Sequence, residues 1–457
     1  VNDGYGFSEK FLPDFEKNGV KLIITVDCGI SCANAIERAK EKGIETIITD
    51  HHTVPQELPK EATAILHPKL ENSKYPFKEL TGSGMAFKFA QALIKEFLPE
   101  ENHAELIEDF IDLASLGTVA DLGHLTGENR VIVRKGLKKL SNTRWVGLNK
   151  IMQAAQVKNL NDLDTSVIGF RIGPRINAAG RIDDPYISLQ LLLQEDNNEK
   201  VHKLGERLEE LNEKRRDMTM KAVLEVSDII SKYDSIPPII IVHSPEWHVG
   251  ILGLIAGKLV EKYGRPAIVM QELEDSLVAS ARGPVFFNVT DAITDSADLL
   301  INFGGHAQAA GFNIKKENLF NFKKRITNYS AKVLKNVDLK PVLEIDCEVN
   351  GKEINFDLLE SLKQLRPFGV KNEKPTFILR NVEPLFIGQV GKDKSHLKFS
   401  VNIHDKDIQV IAFRMGDFAD KLRQHRKIDL VFHLEENLWN NKKHIQIQAL
   451  DFGKSRE

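Results

Sequence analysis

The sequence predicts an α/β protein: a doubly wound parallel-sheet domain, a long connecting helix, a smaller α/β domain and a C-terminal β-barrel. Three observations carry that prediction. Apolar β-branched runs alternate with helical patterns at the start of the chain, a long Pro-free helical pattern spans residues 199–232, and short alternating strands take over from about Pro341. At 457 residues the chain is too long for one core, and its length alone suggests about three domains.

Residues 20–27 (VKLIITVD) form a strand-like run ending on an acid. A helix is expected over 31–42, with Ser31 as its N-cap and Gly43 as its stop. The run 44–49 (IETIIT) is again a strand, so strand, helix and strand make a βαβ unit with a parallel sheet. A third run at Ala62–His67 and helices near 84–98, 103–116 and 127–140 continue the domain. The pattern at 199–232 lacks regular heptads, so it reads as an inter-domain helix rather than a coiled-coil arm, closed by Pro237-Pro238. A second α/β unit follows, with strands at 239–243, 266–271 and 277–281 and helices at 249–263 and 289–301. Seven short strands are then expected at 342–349, 376–382, 384–390, 396–403, 407–413, 428–434 and 444–450, with one helix at 356–364. An OB-fold is the economical barrel for that pattern. The domain boundaries expected on this basis are 1–196, 197–236, 237–338 and 339–457.

The apolar fraction of 42% and charged fraction of 28% are those of an ordinary globular protein. No apolar run approaches the roughly 20 residues that span a bilayer, and no signal peptide opens the chain, so membrane and secretory readings fall away. Cys28, Cys32 and Cys347 are too few for a disulfide framework, which points to a reducing, cytoplasmic setting. No second Cys/His pair accompanies Cys28 and Cys32, so they read as thiols rather than zinc ligands. The net charge of −3 advertises no nucleic-acid partner, so any such site must rest on local arginines.

The βαβ unit delivers Asp27 and the triplet Asp50-His51-His52 to the carboxyl ends of adjacent strands, the edge where open α/β sheets bind ligands. An acid and two histidines there make a hard-to-borderline site of the kind Mn²⁺ or Mg²⁺ occupies. Asp121 ends an apolar helical run and is placed to add a carboxylate. Such a cluster suits two-metal displacement at phosphorus. A lone strand-end Asp is ordinarily a cap and a lone His a core group, but Asp-His-His after a β-branched run is much rarer.

These residues resemble the DHH phosphoesterase superfamily: Asp50-His51-His52 is similar to its defining triplet, Val26-Asp27-Cys28-Gly29 to its second motif and Ser115–Leu125 to its fourth. The resemblance implies that Asp27, His51 and Asp121 are metal ligands. It makes Asp50 a ligand or its support, and sets His52 on the metal or the scissile phosphate, so that Asp50, His52 and Asp121 carry catalysis. Gly173-Pro174-Arg175-Ile176-Asn177-Ala178-Ala179-Gly180-Arg181 narrows the likeness to the RecJ family. Arg175 and Arg181 there can serve as bidentate phosphate donors, the bland alternative being a pairing with an acid such as Asp183. Ser280-Ala281-Arg282-Gly283 and the run Phe303–Gly311 look like the companion DHHA1 domain, which implies that Ser280, Arg282, Gly304, Gly305 and His306 hold substrate. For the glycine run the bland alternative is a tight strand–helix turn. Trp247-His248-Val249-Gly250-Ile251 also matches the family and reads as a packing and helix-start element. The barrel carries aromatics (Phe377, Phe386, Phe399, Phe413, Trp439) of the kind that stack bases, most of them expected in its core.

What the resemblance implies is a metal-dependent 5′-to-3′ exonuclease acting on single-stranded DNA in repair and recombination, with two Mn²⁺ or Mg²⁺ ions in the full-length protein. A monomer is expected, with single-strand-binding protein and a helicase as candidate partners. Two alternatives stay open: a phosphodiesterase for cyclic dinucleotides or short oligonucleotides, and a non-catalytic single-strand-binding scaffold. The family also implies an Asp-x-Asp-Gly motif on a first strand, which nothing before Asp27 supplies. Val1 opens the chain beside Asn2-Asp3-Gly4-Tyr5-Gly6, of which Asp3-Gly4-Tyr5-Gly6 resembles a later family element. The expectation is an N-terminally truncated chain that binds its metals weakly and turns over slowly or not at all.

Overall fold

The computed structural model describes residues 6–157, 160, 163–339, 342–403, 406–439 and 442–455, so Asn2, Asp3, Gly4 and Tyr5 of the opening run lie outside the described residues. The chain divides into two compact units, Val1–Asp121 with Lys135–Pro341, and Leu122–Arg134 with Val342–Glu457. No helix among the described residues is long and apolar enough to cross a membrane.

The first unit opens on a parallel sheet of β1 (Leu22–Val26), β2 (Glu45–Thr49) and β3 (Ala64–Leu66). Val26 pairs with Thr49 and Thr49 with Leu66, so the residues that follow, Asp27, Asp50 and His67, leave the sheet side by side. Helix α1 (Ala33–Glu41) links β1 to β2 and buries Ala35, Ile36 and Ala39. Its N-cap is Cys32, with no side-chain capping bond, and not Ser31. The turn before it is organised from elsewhere, by the Ile30 N–H donating to Asp50. Gly43 ends the helix at φ +70, a conformation that costs other residues a Cβ clash. β1 is an edge strand, with Leu22, Ile24 and Val26 exposed along it.

Helices α2 (Gly82–Phe97) and α3 (His103–Ala120) cross where α2 begins. The Thr81 hydroxyl caps α2 through Gly84 N and lies 3.1 Å from that of Thr118, and Ser83 Oγ donates to Ala114 O. Gly117 permits this approach, since a Cβ there would stand 2.4 Å from Ser83. Next come α4 (Gly173–Ile182) and the connecting helix α5 (Glu199–Ser231), N-capped by Asn198 and 33 residues long.

The second sheet has the order β4-β5-β6-β8-β7, from β4 (Ile240–Ser244), β5 (Ala267–Glu272), β6 (Ser276–Arg282), β7 (Leu300–His306) and β8 (Ala309–Lys315). Only β4 and β5 are parallel; the rest pair antiparallel. Helix α6 (Leu252–Tyr263) covers β4 and β5 with Leu252, Ile255, Ala256 and Leu259. Trp247 is buried and donates to Glu225, while His248 caps the turn before α6 through Gly250 N. The helix expected over 289–301 stops at Thr294, and Leu300–His306 pairs with β8 as a hairpin instead. Helical spacing of the apolar residues suggested otherwise, but Asp295, Ser296 and Asp298 favour turns over helix interiors, and the ladder satisfies the backbone from Leu300 onward.

In the second unit, β9 (Cys347–Glu348), β10 (Phe377–Val382), β11 (Pro384–Val390), β12 (His396–Ile403), β13 (Lys406–Ala412), β14 (Ile428–Trp439) and β15 (Lys442–Lys454) form one ladder, β11-β12-β13-β15-β14-β10-β9. The strand expected over 342–349 shrinks to Cys347–Glu348. Leu397, Phe399, Val410, Phe432 and Ile447, from four strands, meet in one core, which requires the sheet to curl around them. Arg130 donates to the carbonyls of Leu365 and Arg366, capping the helix Phe356–Gln364, and Leu125 N donates to Val370 O. Of the barrel aromatics, Phe377 and Phe399 are core, whereas Phe386 and Phe413 are 81% and 53% exposed. The Trp439 side chain lies outside the described residues.

Phe399 is 1% exposed, and Phe399→Ala should destabilise the second unit by about 3–5 kcal/mol, seen as a lower urea midpoint for loss of β-sheet circular dichroism.

Candidate metal centre and anion-binding face

Asp50 is 1% exposed, and its carboxylate accepts from four donors: Ile30 N (3.0 Å), His51 N (2.7 Å), His52 N (3.2 Å) and His52 Nδ1 (2.7 Å). Burial alone would raise its pKa, but the bonds from Ile30, His52 and His51 outweigh that and hold it below the ordinary carboxylate range. With Nδ1–H committed to Asp50, His52 presents the Nε2 lone pair outward. His67, at the end of β3, steadies the same turn. It accepts from Lys69 N at Nδ1 and therefore donates from Nε2 to His52 O, and burial lowers its pKa in keeping with a neutral ring. Lys69 Nζ donates to His51 O.

Asp27 leaves β1 at φ +64, a left-handed conformation that L side chains rarely adopt, with its N–H bonded to Thr49 O. Its carboxylate lies against the bare backbone of Gly82 at the start of α2, where a Cβ would stand 2.0 Å from Oδ1. The positive end of α2 thus faces the acid. His51 Nε2 is 3.0 Å from Asp27 Oδ1 and 3.5 Å from Asp121 Oδ2, yet it is buried and without a hydrogen-bond partner. Burial opposes protonation of His51, but Asp27 and Asp121 outweigh it and raise its pKa. Burial raises the pKa of Asp121, with Asp27 adding to the rise while His51 opposes it.

Ligand atoms of Asp27, His51 and His52 lie within 4.8 Å of one another, and among the described residues they are the one such group of three. Asp121, the C-cap of α3, stands beside His51. An orphaned buried imidazole nitrogen crowded by two carboxylates fits a divalent cation: the lone pair and both acids would share it, and their mutual repulsion would vanish. Asp50 is brought to the same place, but its oxygens face backbone and the His52 ring.

The predicted arginines divide. Arg175 is taken up by Glu209 on α5, through Nε (2.5 Å) and Nη2 (2.9 Å), and by Arg171 O, so it ties α4 to the connecting helix. Its acid is not Asp183, which bonds Arg207 instead. Arg181 donates to Gly250 O. Sequence inspection passed over Arg215 on α5: its Nε is buried without a partner, and burial, then Arg181, Arg216 and Arg175, lower its pKa. Arg282 is likewise depressed by burial and by Arg181.

Pairing across the second sheet aligns Arg282 with Ala309 and His306, and Ser280 with Gly311 and Gly304. Opposed residues share a face, so Ser280, Arg282, Gly304 and His306 stand together with small residues between them. Arg282 Nη1 donates to Ser280 Oγ (3.1 Å), and Gly253 on α6 makes room, since a Cβ there would lie 2.7 Å from Arg282 Nη2. Gly305 holds the hairpin at φ +154 with Ala309 O 2.4 Å from where a Cβ would be. Among the described residues no acid forms an ion pair with Arg282, and a guanidinium on a face of small residues has the chemistry to bind an anion.

Family models match in order: the DHH family N-terminal domain over residues 5–118, the DHHA1 domain over 236–332 and the RecJ OB domain over 345–451. The chain is 30% identical over 463 residues to the single-stranded-DNA-specific exonuclease RecJ of Haemophilus influenzae, covering 97% of this chain and 79% of that protein. The chain belongs to the RecJ family. It is 34% identical over 451 residues to the single-stranded-DNA-specific exonuclease RecJ of Bacillus subtilis, covering 98% of this chain but 56% of that RecJ. The crystal structure of RecJ in complex with Mn²⁺ from Thermus thermophilus superposes with a TM-score of 0.82 at 28% identity, over 98% of this chain and 64% of that one. This chain therefore spans between half and two thirds of the length of those two RecJ proteins.

Gly82→Ala should push the Asp27 carboxylate aside and weaken Mn²⁺ binding at least tenfold in calorimetric titration, with helical circular dichroism unchanged. Undiminished affinity would remove Gly82 from the support of the centre.

Proposed function

We propose that this chain is a metal-dependent exonuclease that hydrolyses single-stranded DNA from its 5′ end, in repair and recombination. The observation that carries the reading is the meeting of Asp27, His51, His52 and Asp121 in the same unit as the Ser280–Arg282 face. Asp27, His51 and Asp121 would hold Mn²⁺ or Mg²⁺. When bound, such ions supply a nucleophilic water at neutral pH and offset charge on the phosphate oxygens.

The chain's own residues do the rest. Asp50 fixes the tautomer and aim of His52, whose Nε2 faces the scissile phosphate or an ion. Arg181, Arg215 and Arg282 draw the phosphates of one strand along the unit, and Ser280 and His306 add donors at its end. Arg175 supports this arrangement by fixing α4 to α5. Gly304 keeps the face flat enough for a backbone to approach, and Gly305 holds the hairpin that carries it. The exposed Phe386 and Phe413 of the second unit suit base stacking. The 5′ polarity follows from the family likeness. The chain is read as a cytoplasmic monomer, with single-strand-binding protein and a helicase as candidate partners.

The test is digestion of single strands labelled at either end, with Mn²⁺. Mononucleotides released from the 5′ end support the exonuclease; dinucleotides cut faster than long strands favour the small-substrate phosphodiesterase; strand binding without metal-dependent cleavage favours the scaffold. Asp121→Ala should abolish cleavage while sparing strand binding, because binding rests on contacts elsewhere. Arg282→Ala should weaken binding of 5′-phosphorylated strands about tenfold and 5′-hydroxyl strands far less; equal losses would exclude the end-phosphate role.

A further inference from the structure

Immediately after Arg282 the chain turns through residues 283–288, and this loop is fixed at both ends. Gly283 N donates to Gln308 O (3.0 Å) and Val289 N to Ala307 O (2.8 Å), while Thr290 Oγ1 donates to His306 O (2.7 Å). The loop is therefore tied to the turn that carries His306. Inside it, Phe287 is 1% exposed, in the core of the second sheet with its ring edge-on to Tyr329. Asn288 caps the next helix through Thr290 N and Asp291 N. Gly283 is hemmed in, since a Cβ would lie 2.6 Å from Phe287 O.

Only Val285 and Phe286 are left facing solvent as large apolar side chains, 89% and 42% exposed. They cannot relax into the core, whose place Phe287 already fills, and water penalises their exposure. Three residues of chain span at most about 10 Å, so Val285 stands within about that distance of Arg282. A base attached to a phosphate at Arg282 has the same reach.

We propose that Val285 and Phe286 form a nucleobase subsite, a fixed apolar platform that receives the base next to the phosphate held by Arg282 and Ser280. This rests on the strand-binding reading above and adds a determinant to it. Every base has an apolar face, so the platform is indifferent to sequence. A base within a duplex is already stacked and paired, so the platform favours an unpaired end.

The experiment measures fluorescence anisotropy of the whole chain with 5′-phosphorylated single strands in chelator. One strand carries natural bases throughout; the other has abasic residues at its two 5′-terminal positions. The Val285→Ser, Phe286→Ala double variant should bind the natural strand five- to tenfold more weakly and the abasic strand within twofold of the parent chain. Equal weakening of both strands, or unchanged binding of the natural one, overturns the subsite. Arg282→Ala in parallel separates the two readings: if it abolishes the 5′-phosphate preference while the double variant does nothing, only the subsite fails. If the parent chain shows no 5′-phosphate preference, the reading beneath it fails too. Both changed side chains are exposed, and an unchanged melting curve for the double variant confirms that folding is not the cause.

Discussion

The candidate centre hangs on one buried carboxylate. Asp50 has no water to share its charge, so it must collect donors from the protein, and it collects them from two turns at once. Ile30 brings the turn after β1, and His51 and His52 bring the turn after β2. A neutral group at that position would satisfy neither turn fully, and the backbone carrying His51 would lose its fixed relation to Asp27. The left-handed Asp27, the bare Gly82 and the Thr81–Thr118 contact are further conditions on the same geometry. They fix where one acid stands, and Asp50 fixes where the histidines stand.

The first unit separates its two electrostatic tasks by secondary structure. Asp27, Asp50 and the two imidazoles leave the ends of parallel strands and Asp121 the end of α3, whereas the guanidinium groups lie on helices and on an antiparallel face. Arg175 and Arg207 are spent on acids: Glu209 on the connecting helix takes the first and Asp183 the second, so those bridges are structural. Arg215 lies 40 residues beyond Arg175 in the chain and has its Nε left over.

Asp27 and the His51-His52 pair were legible because β-strand ends deliver neighbouring residues to one edge, a rule that needs only local pattern. The parallel sheet, the connecting helix and most barrel strands were legible for the same reason. Gly82 was not, because its contribution is the lack of a Cβ opposite a side chain 55 residues earlier, and nothing nearby in sequence marks that. Nor could the sequence say which arginine was paired, since pairing is decided across helices. The stretch 289–301 misled because its apolar spacing suits a helix, while the strand that pairs with the run from Leu300 onward, β8, follows it in the chain. The capping role given to Ser31 failed for a similar reason: Asp50 organises that turn from 20 residues away.

β1 has a consequence for how the protein behaves in bulk. Leu22, Ile24 and Val26 are exposed on a strand whose outer edge pairs with no other strand among the described residues. Unpaired backbone flanked by apolar side chains is a template for another strand. A strand added there would bury that apolar surface and pair those backbone groups, so salting-out ions would tighten the contact rather than screen it.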